Sequence, residues 1–414
     1  MKKMLSITFL LLCSKVLFCS TPIGFLDAID NSLLVTGWSL DAAAPLTNLT
    51  IHFYANAPAG SPGSVFIGST LANYPRPDVN SATGYSGNHG FRWRIPTNLI
   101  TPCRLAIYAY GIDPHGVNNK LLNNSPIETP YLEGQISASA GGYPIVLKAN
   151  SKFAGGIYSL TWNGVEFIDA ADHGRELQTA SSFYSSYSPP SWTAECYNPT
   201  EAGNHGDGSG GCTSSELLSF STAGYILQTT TQMAFYSNSS APTGSCPSPI
   251  NGYTILSNHI MSKTVTIGIP GMAHAIKYEV SHSVPSDEAN LAMGQFEVVT
   301  GYMPSSFNTF WRFNQGNSTL TNVTNEPDNE AGRPIILAKS SGDYAMGVYC
   351  PAIGQAATNG YGQFSFGSTN KWNLVQRIPN IFAGQTYNFT AYICVGSLEN
   401  VRVTMAQLVA NYPN

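Results

Sequence analysis

Five ionisable residues crowd into two short stretches of a chain in which only 10% of residues are charged. Asp172, His173, Arg175 and Glu176 lie in ADHGRELQT (171–179), and Glu201 lies in ECYNPTEAG (195–203). Moving protons on a substrate takes an acid, a base and an orienting cation within reach of one another. Glu and His both serve near neutral pH once burial and neighbours tune them. Glu201, between a Pro-Thr pair and Ala-Gly, sits in a tight turn that can fix a carboxylate, so it is the candidate base. His173 is the candidate acid. Arg175, with a planar fork suited to bidentate contacts, is a candidate for holding a hydroxyl or carboxylate of the substrate.

The same residues allow a second reading. Asp172, Arg175 and Glu201 can form an ion-paired brace that orders loops, with His173 as a hydrogen-bonded core histidine. Asn198 is a further substrate-binding candidate, and so is Asp207, in GNHGDGSGG (203–211) beside His205. The glycines of that loop permit close backbone approach to a ligand, or a plain exposed turn. Trp311 in FNTFWRFN and Trp372 in NKWN are candidates for stacking on the C–H face of a sugar ring, although tryptophan serves cores as often. His259, His274 and His282 fall on expected strands, where a half-buried structural role is the ordinary one. Spacing for a metal centre is absent, and no nucleophile-elbow, zinc-protease, phosphate-loop or dinucleotide fingerprint occurs. No cofactor and no metal are expected.

The elements that must position these residues are strands. Gly, Ser, Thr, Asn, Tyr and Phe abound, and LLVTGW (33–38), LTIHFY (49–54) and LAIYAY (105–110) are short apolar runs separated by turn residues. They predict a small β-sandwich over 21–130. NNSPIETP (123–130) reads as a linker. From 135 to 414, HAIKYEVSHSV alternates with the period of a half-buried strand, and further strand-like runs predict a large two-sheet sandwich with loops around a cleft. A helix is expected only at SLENVRVTMAQLVANY, capped by Ser397. The fold class is thus all-β.

Residues 1–20, with Lys2 and Lys3 ahead of an apolar run, have the layout of a signal peptide. Its removal moves the formal charge from -5 to about -8, which disfavours nucleic acid and anionic membrane surfaces as partners. An exported, secreted or periplasmic protein is expected, lipoprotein anchoring at Cys19 being the lesser alternative, and no membrane insertion is expected once the leader is gone. Six of the eight cysteines remain, and Cys196, Cys212 and Cys246 bracket the loop-rich middle, where a disulfide would tie down a loop.

GFLDAI, GWSLD, RPDVN and HGFRWRIP in the first part resemble a module found beside carbohydrate-active domains in exported bacterial proteins. There Trp38 and Trp93 read as core aromatics or as a sugar-binding face, and Arg76 as a partner of Asp78 or Asp41. LTWNGVEFIDAADHGRELQ, NPTEAG, TTTQMAFY, GYMP, YAMGVY and NKWN resemble an uncharacterised bacterial family. That family in turn is similar to the galactose-mutarotase-like β-sandwich superfamily of sugar epimerases and of domains of polysaccharide lyases and glycoside hydrolases. Mutarotases there use two histidines and a glutamate, of which His173 alone falls on such a motif. The resemblance implies a carbohydrate partner. The chain is therefore expected to act on a glycan by Glu/His acid–base chemistry, or else to be a non-catalytic glycan-binding or structural surface protein.

Overall fold

The computed structural model describes residues 20–96, 99, 104–116, 118–184, 194–351 and 360–413. Residues 1–19 of the leader and Cys103 lie outside them. The chain divides into two compact units, one ending at Pro130 and the other beginning at Tyr131.

The first unit is built from a four-stranded and a five-stranded antiparallel sheet. Ile51, Phe53, Ile107 and Ala109 alternate with less buried neighbours and supply its core. Trp93 stacks on Phe53 at 4.4 Å between ring centroids. Arg76 pairs with Asp78 at 2.6 Å and with Asp27 at 2.7 Å, while Asp41 is buried and accepts the Ala43 amide. RPDVN, with no strand or helix assigned from sequence, opens the short helix Pro77–Thr83. Pro77 suits its first turn, where no amide partner is needed, and Gly84 ends it at φ 75°. The stretch that reads as a linker belongs to this unit instead. Leu26 donates to the Asn123 carbonyl, and Ile127–Glu128 pairs with the Ala106–Gly111 strand. Its turn residues mark bends between paired segments, not a free connection.

The second unit holds a four-stranded sheet running from Glu133 to Glu166 and a fifteen-stranded antiparallel sheet that takes in the remaining strands. Ile145, Leu147 and Leu160 from the smaller sheet share one core with Met261, Tyr278, Val298 and Trp372 from the larger. The helix Leu398–Asn411 begins at Ser397, whose hydroxyl accepts the Asn400 amide, and buries Val401, Met405 and Leu408. Among the described residues no helix is long and apolar enough to cross a membrane. Cys196 and Cys246 form a disulfide, Cys212 and Cys394 are free thiols, and the buried Cys350 thiol donates to the Thr390 carbonyl at 3.4 Å.

Two register breaks decide which side chains face the concave side of the large sheet. On strand Leu291–Pro304 the pairing with Thr369–Ile381 slips between Glu297 and Val299, so Val298 and Val299 are both buried. Gln295 and Glu297 therefore share a face with Thr300 and Tyr302, which strict alternation would put on the other side. A second slip, between Gln178 and Ala180 on strand Gln178–Tyr184, falls beside it.

Candidate functional site

Those faces form the floor of a cavity of about 640 Å3. Gln295, Glu297, Thr300 and Tyr302 meet Lys371 and Asn373 from the neighbouring strand Thr369–Ile381 there. One wall is the segment carrying Glu195, Asn198 and Thr200, and another carries Phe364 and Phe366. His205, Tyr236 and the turn Pro242–Ser245 complete the rim.

Lys371 pairs with Glu297 at 3.2 Å, both largely buried. Burial works against the lysine's charge, yet Glu297, then Tyr302 and Glu195, hold its pKa above the usual value. The ammonium also lies over the rings of Tyr302, at 5.2 Å, and Phe364, at 5.6 Å. Glu195 accepts a 2.8 Å hydrogen bond from the Asn198 amide. Its pKa is raised, first by burial and then by the Glu297 carboxylate, with Lys371 and Asn198 opposing. Two carboxyl groups in one cavity thus have unlike environments, the arrangement that separates an acid from a base. Burial lifts the Tyr236 phenol to about 12, and its hydroxyl faces His205 Nδ1 at 3.5 Å.

The two cations near this floor are both engaged. Lys371 is on Glu297, and Arg377 binds Glu330 at 2.8 Å and donates from Nε to Gln295 Oε1 at 2.9 Å. Phe364 and Phe366, two apart on the chain, lie nearly parallel at 6.4 Å, and Phe366 stacks beyond Tyr302 at 6.5 Å. Phe366 is 56% exposed, which makes this an apolar surface open to a ligand.

Of the residues named in the sequence, Asn198 and His205 line this cavity, while His173, Arg175, Glu201, Asp207, Trp311 and Trp372 do not. Glu201 is fully buried, where it accepts the Thr179 amide at 3.0 Å and pairs with the equally buried Lys263. His173 lies with Nδ1 3.0 Å from the Ala202 carbonyl and Nε2 3.1 Å from that of Gly211, so both nitrogens face the main chain. Arg175 is on Asp172 at 3.0 Å. Asp207 accepts the amides of Asn204 and Ser214, each at 2.8 Å. Gly203, at φ 118°, has no room for a Cβ because Asp207 Oδ2 would lie 2.3 Å away. That glycine serves the loop's own packing rather than a ligand. Asp172 and Arg175 thus pair with each other and Glu201 with Lys263, two separate ion pairs where the second reading of the sequence joined Asp172, Arg175 and Glu201 in one brace.

Trp372 points away from Lys371 and Asn373 into the core and is fully buried, closed off from any sugar. Trp311 is half-buried against the cluster under the C-terminal helix, its indole N–H donating to Thr309 at 3.1 Å. The groups that sequence reasoning passed over are Glu195, Glu297, Tyr302, Lys371, Phe364 and Phe366. Glu195, Tyr302 and Lys371 sit inside quoted motifs, Glu195 three residues from Asn198 and Lys371 next to Trp372.

No described protein family matches the chain, and no curated protein matches it. Solved structures do. A galactose-mutarotase-related enzyme from Lactobacillus acidophilus aligns over 64% of this chain and 98% of its own at 8% identity, with a TM-score of 0.35. A putative aldose 1-epimerase from Klebsiella pneumoniae aligns over 75% and 88% at 6% identity, TM-score 0.32. A heparan sulfate lyase from Pedobacter heparinus aligns over 66% of this chain and 38% of its own at 10% identity, TM-score 0.32.

Proposed function

We propose that the second unit is a carbohydrate-active enzyme that holds an uncharged glycan in this cavity and uses Glu195 as proton donor. The carrying observation is the environment of Glu195: a carboxyl kept protonated to higher pH by burial and by Glu297, and oriented by Asn198. Such a group can protonate a ring or leaving oxygen of a sugar. Glu297, ion-paired with Lys371, supplies the second carboxylate. The Phe364–Phe366 surface supplies the apolar face on which a pyranose packs.

Charge supports the uncharged class of ligand. A uronate or sulfate would meet Glu297 and Glu330 while Lys371 and Arg377 are already ion-paired. We also propose export, on the leader. The test is proton NMR of the mature chain with neutral, uronate and sulfated oligosaccharides, recording saturation transfer and product signals together. Glu195→Gln keeps the acceptor for Asn198 and loses the proton, so turnover is expected to fall about a hundredfold with ligand binding and thermal melting unchanged. Full turnover in that variant would remove Glu195 from the chemistry, and saturation transfer without product in the parent would make the protein a glycan binder. Phe366→Ala, at an exposed position, is expected to weaken glycan binding by about fivefold, roughly the worth of one aromatic contact; titration of the same NMR signals measures it.

A further inference from the structure

Behind the wall that carries Glu195 and Asn198 stands a second group of ionisable side chains. His259, on strand Leu256–Thr266, and His282, on strand Ala275–Ser283, are both fully buried, with Nδ1 of the first 3.0 Å from Nε2 of the second. His259 Nε2 lies 3.4 Å from Glu288 Oε2, close enough for attraction although not aligned as a hydrogen bond. The Tyr197 hydroxyl donates to that same carboxylate oxygen. Phe183 stacks on the His259 ring at 5.0 Å. A cavity of about 280 Å3, lined by Tyr197, Asp287 and Glu288, opens onto this contact.

The protons can be assigned. Burial lowers the pKa of His259, and burial and then His259 lower that of His282 much further, so both rings are neutral. A neutral His259 that turned a bare Nε2 lone pair to the carboxylate would be repelled, so Nε2 carries the proton and Nδ1 accepts from His282 Nε2–H. His282 Nδ1 is then a lone pair, which fits its having no partner. Glu288 thus receives Tyr197 from one side and faces an imidazole N–H on the other.

Tyr197 lies between Cys196 and Asn198, in the segment that delivers Glu195, Asn198 and Thr200 to the large cavity. We infer that Tyr197, Glu288 and His259 are a positioning relay, in which Glu288 anchors the Tyr197 hydroxyl and thereby fixes the wall that aims Glu195. Its catalytic consequence rests on the function proposed above; the anchoring itself does not. The groups facing one another here are Tyr197, Asp287, Glu288, His259 and His282, and their titration makes the relay acid-sensitive. Burial works to raise the Glu288 pKa, but His259 and Tyr197 hold it below the ordinary value. Its contribution is complete above the unfolded carboxyl value and is lost as pH falls through the folded one. The two histidines, neutral in the fold, cost stability as pH drops below their unfolded value near 6.5, so every titration in the relay loosens it toward acid.

The test compares the full chain with Tyr197→Phe and Glu288→Gln by amide hydrogen exchange and by the NMR assay. The Phe183, Tyr197 and Tyr236 amides are bonded within or onto the 194–198 segment. Both variants are expected to exchange there about tenfold faster, with Val348 and Ile393 in the core unchanged as internal references. Where turnover is seen, kcat should fall severalfold at little change in KM, and the acid limb of its pH profile should shift in Glu288→Gln. Unchanged exchange at the wall in both variants overturns the relay. Faster exchange with kcat and pH profile unmoved reduces it to a structural tie and overturns its positioning role. Should the parent chain bind no glycan, the proposed function fails, and the exchange data alone judge the anchoring.

Discussion

Lys263→Met is expected to destabilise the second unit by about 3–5 kcal/mol, the usual cost of breaking a buried ion pair from one side. In the parent, Lys263 donates to the Gly155 carbonyl at 2.9 Å and to Glu201, and both charged side chains are wholly buried. Removing the lysine leaves the Glu201 carboxylate with only the Thr179 amide, in an interior where an unpaired charge is poorly solvated. Glu201→Gln should cost a similar amount by stranding Lys263, whose pKa burial already presses down while Glu201 holds it up. In a unit of this size the loss corresponds to a melting temperature lower by ~10 °C. The double variant Lys263→Met/Glu201→Leu should recover much of it, since neither charge is then left alone. Denaturant midpoints for Lys263→Met, Glu201→Leu and the double give the coupling energy. A Glu201→Gln protein with parental stability and no turnover would instead return Glu201 to the chemistry.

Glu176 should make stability fall toward alkaline pH. Its carboxyl is fully buried beneath Gly174, whose amide it accepts at 2.9 Å, and its other oxygen has no partner. Burial first, with Asp172 and Glu201 adding repulsion, pushes its pKa up to about 8 against the opposing amides of Glu176 and Gly174. A raised folded value means the fold holds a proton that the unfolded chain releases near 4.5. The contribution is therefore complete below pH 4.5 and is lost as pH climbs through 8. By linkage the loss across that window is about 4 kcal/mol. Glu176→Gln keeps an acceptor for Gly174 and has nothing to ionise. It should match the parent near pH 5 and exceed it increasingly up to pH 8, as followed by denaturation at a series of pH values. Parallel profiles for the two proteins would show that Glu176 is not protonated in the fold.

The sequence carried the architecture further than the site. Alternation in HAIKYEVSHSV and the Ser397 cap correspond to strand Ala275–Ser283 and helix Leu398–Asn411 because both signals are local. The pairing of His259 with His282 depends on the register between two strands, which neither strand contains by itself. Lys371 was hidden for a simpler reason. In NKWN the tryptophan draws attention, yet on a strand Trp372 and Lys371 must face opposite ways, and an indole with room in the core takes the core. Glu297 and Tyr302 reach one face only because the strand slips between Glu297 and Val299, and nothing in FEVVTGY announces that slip. Asp172, Arg175 and Glu201 stood out because they cluster, and clustering is equally what a brace requires.

The disulfide joins residues adjacent to two parts of the same rim: Cys196 follows Glu195, and Cys246 follows Ser245, the last lining residue of the turn that begins at Pro242. Such bonds form and persist in oxidising compartments and are kept open by cytosolic thiols. In reducing surroundings the mouth of the cavity lacks that tie. The lip that carries Glu195 is thus the part of the cavity whose fastening depends on an oxidant.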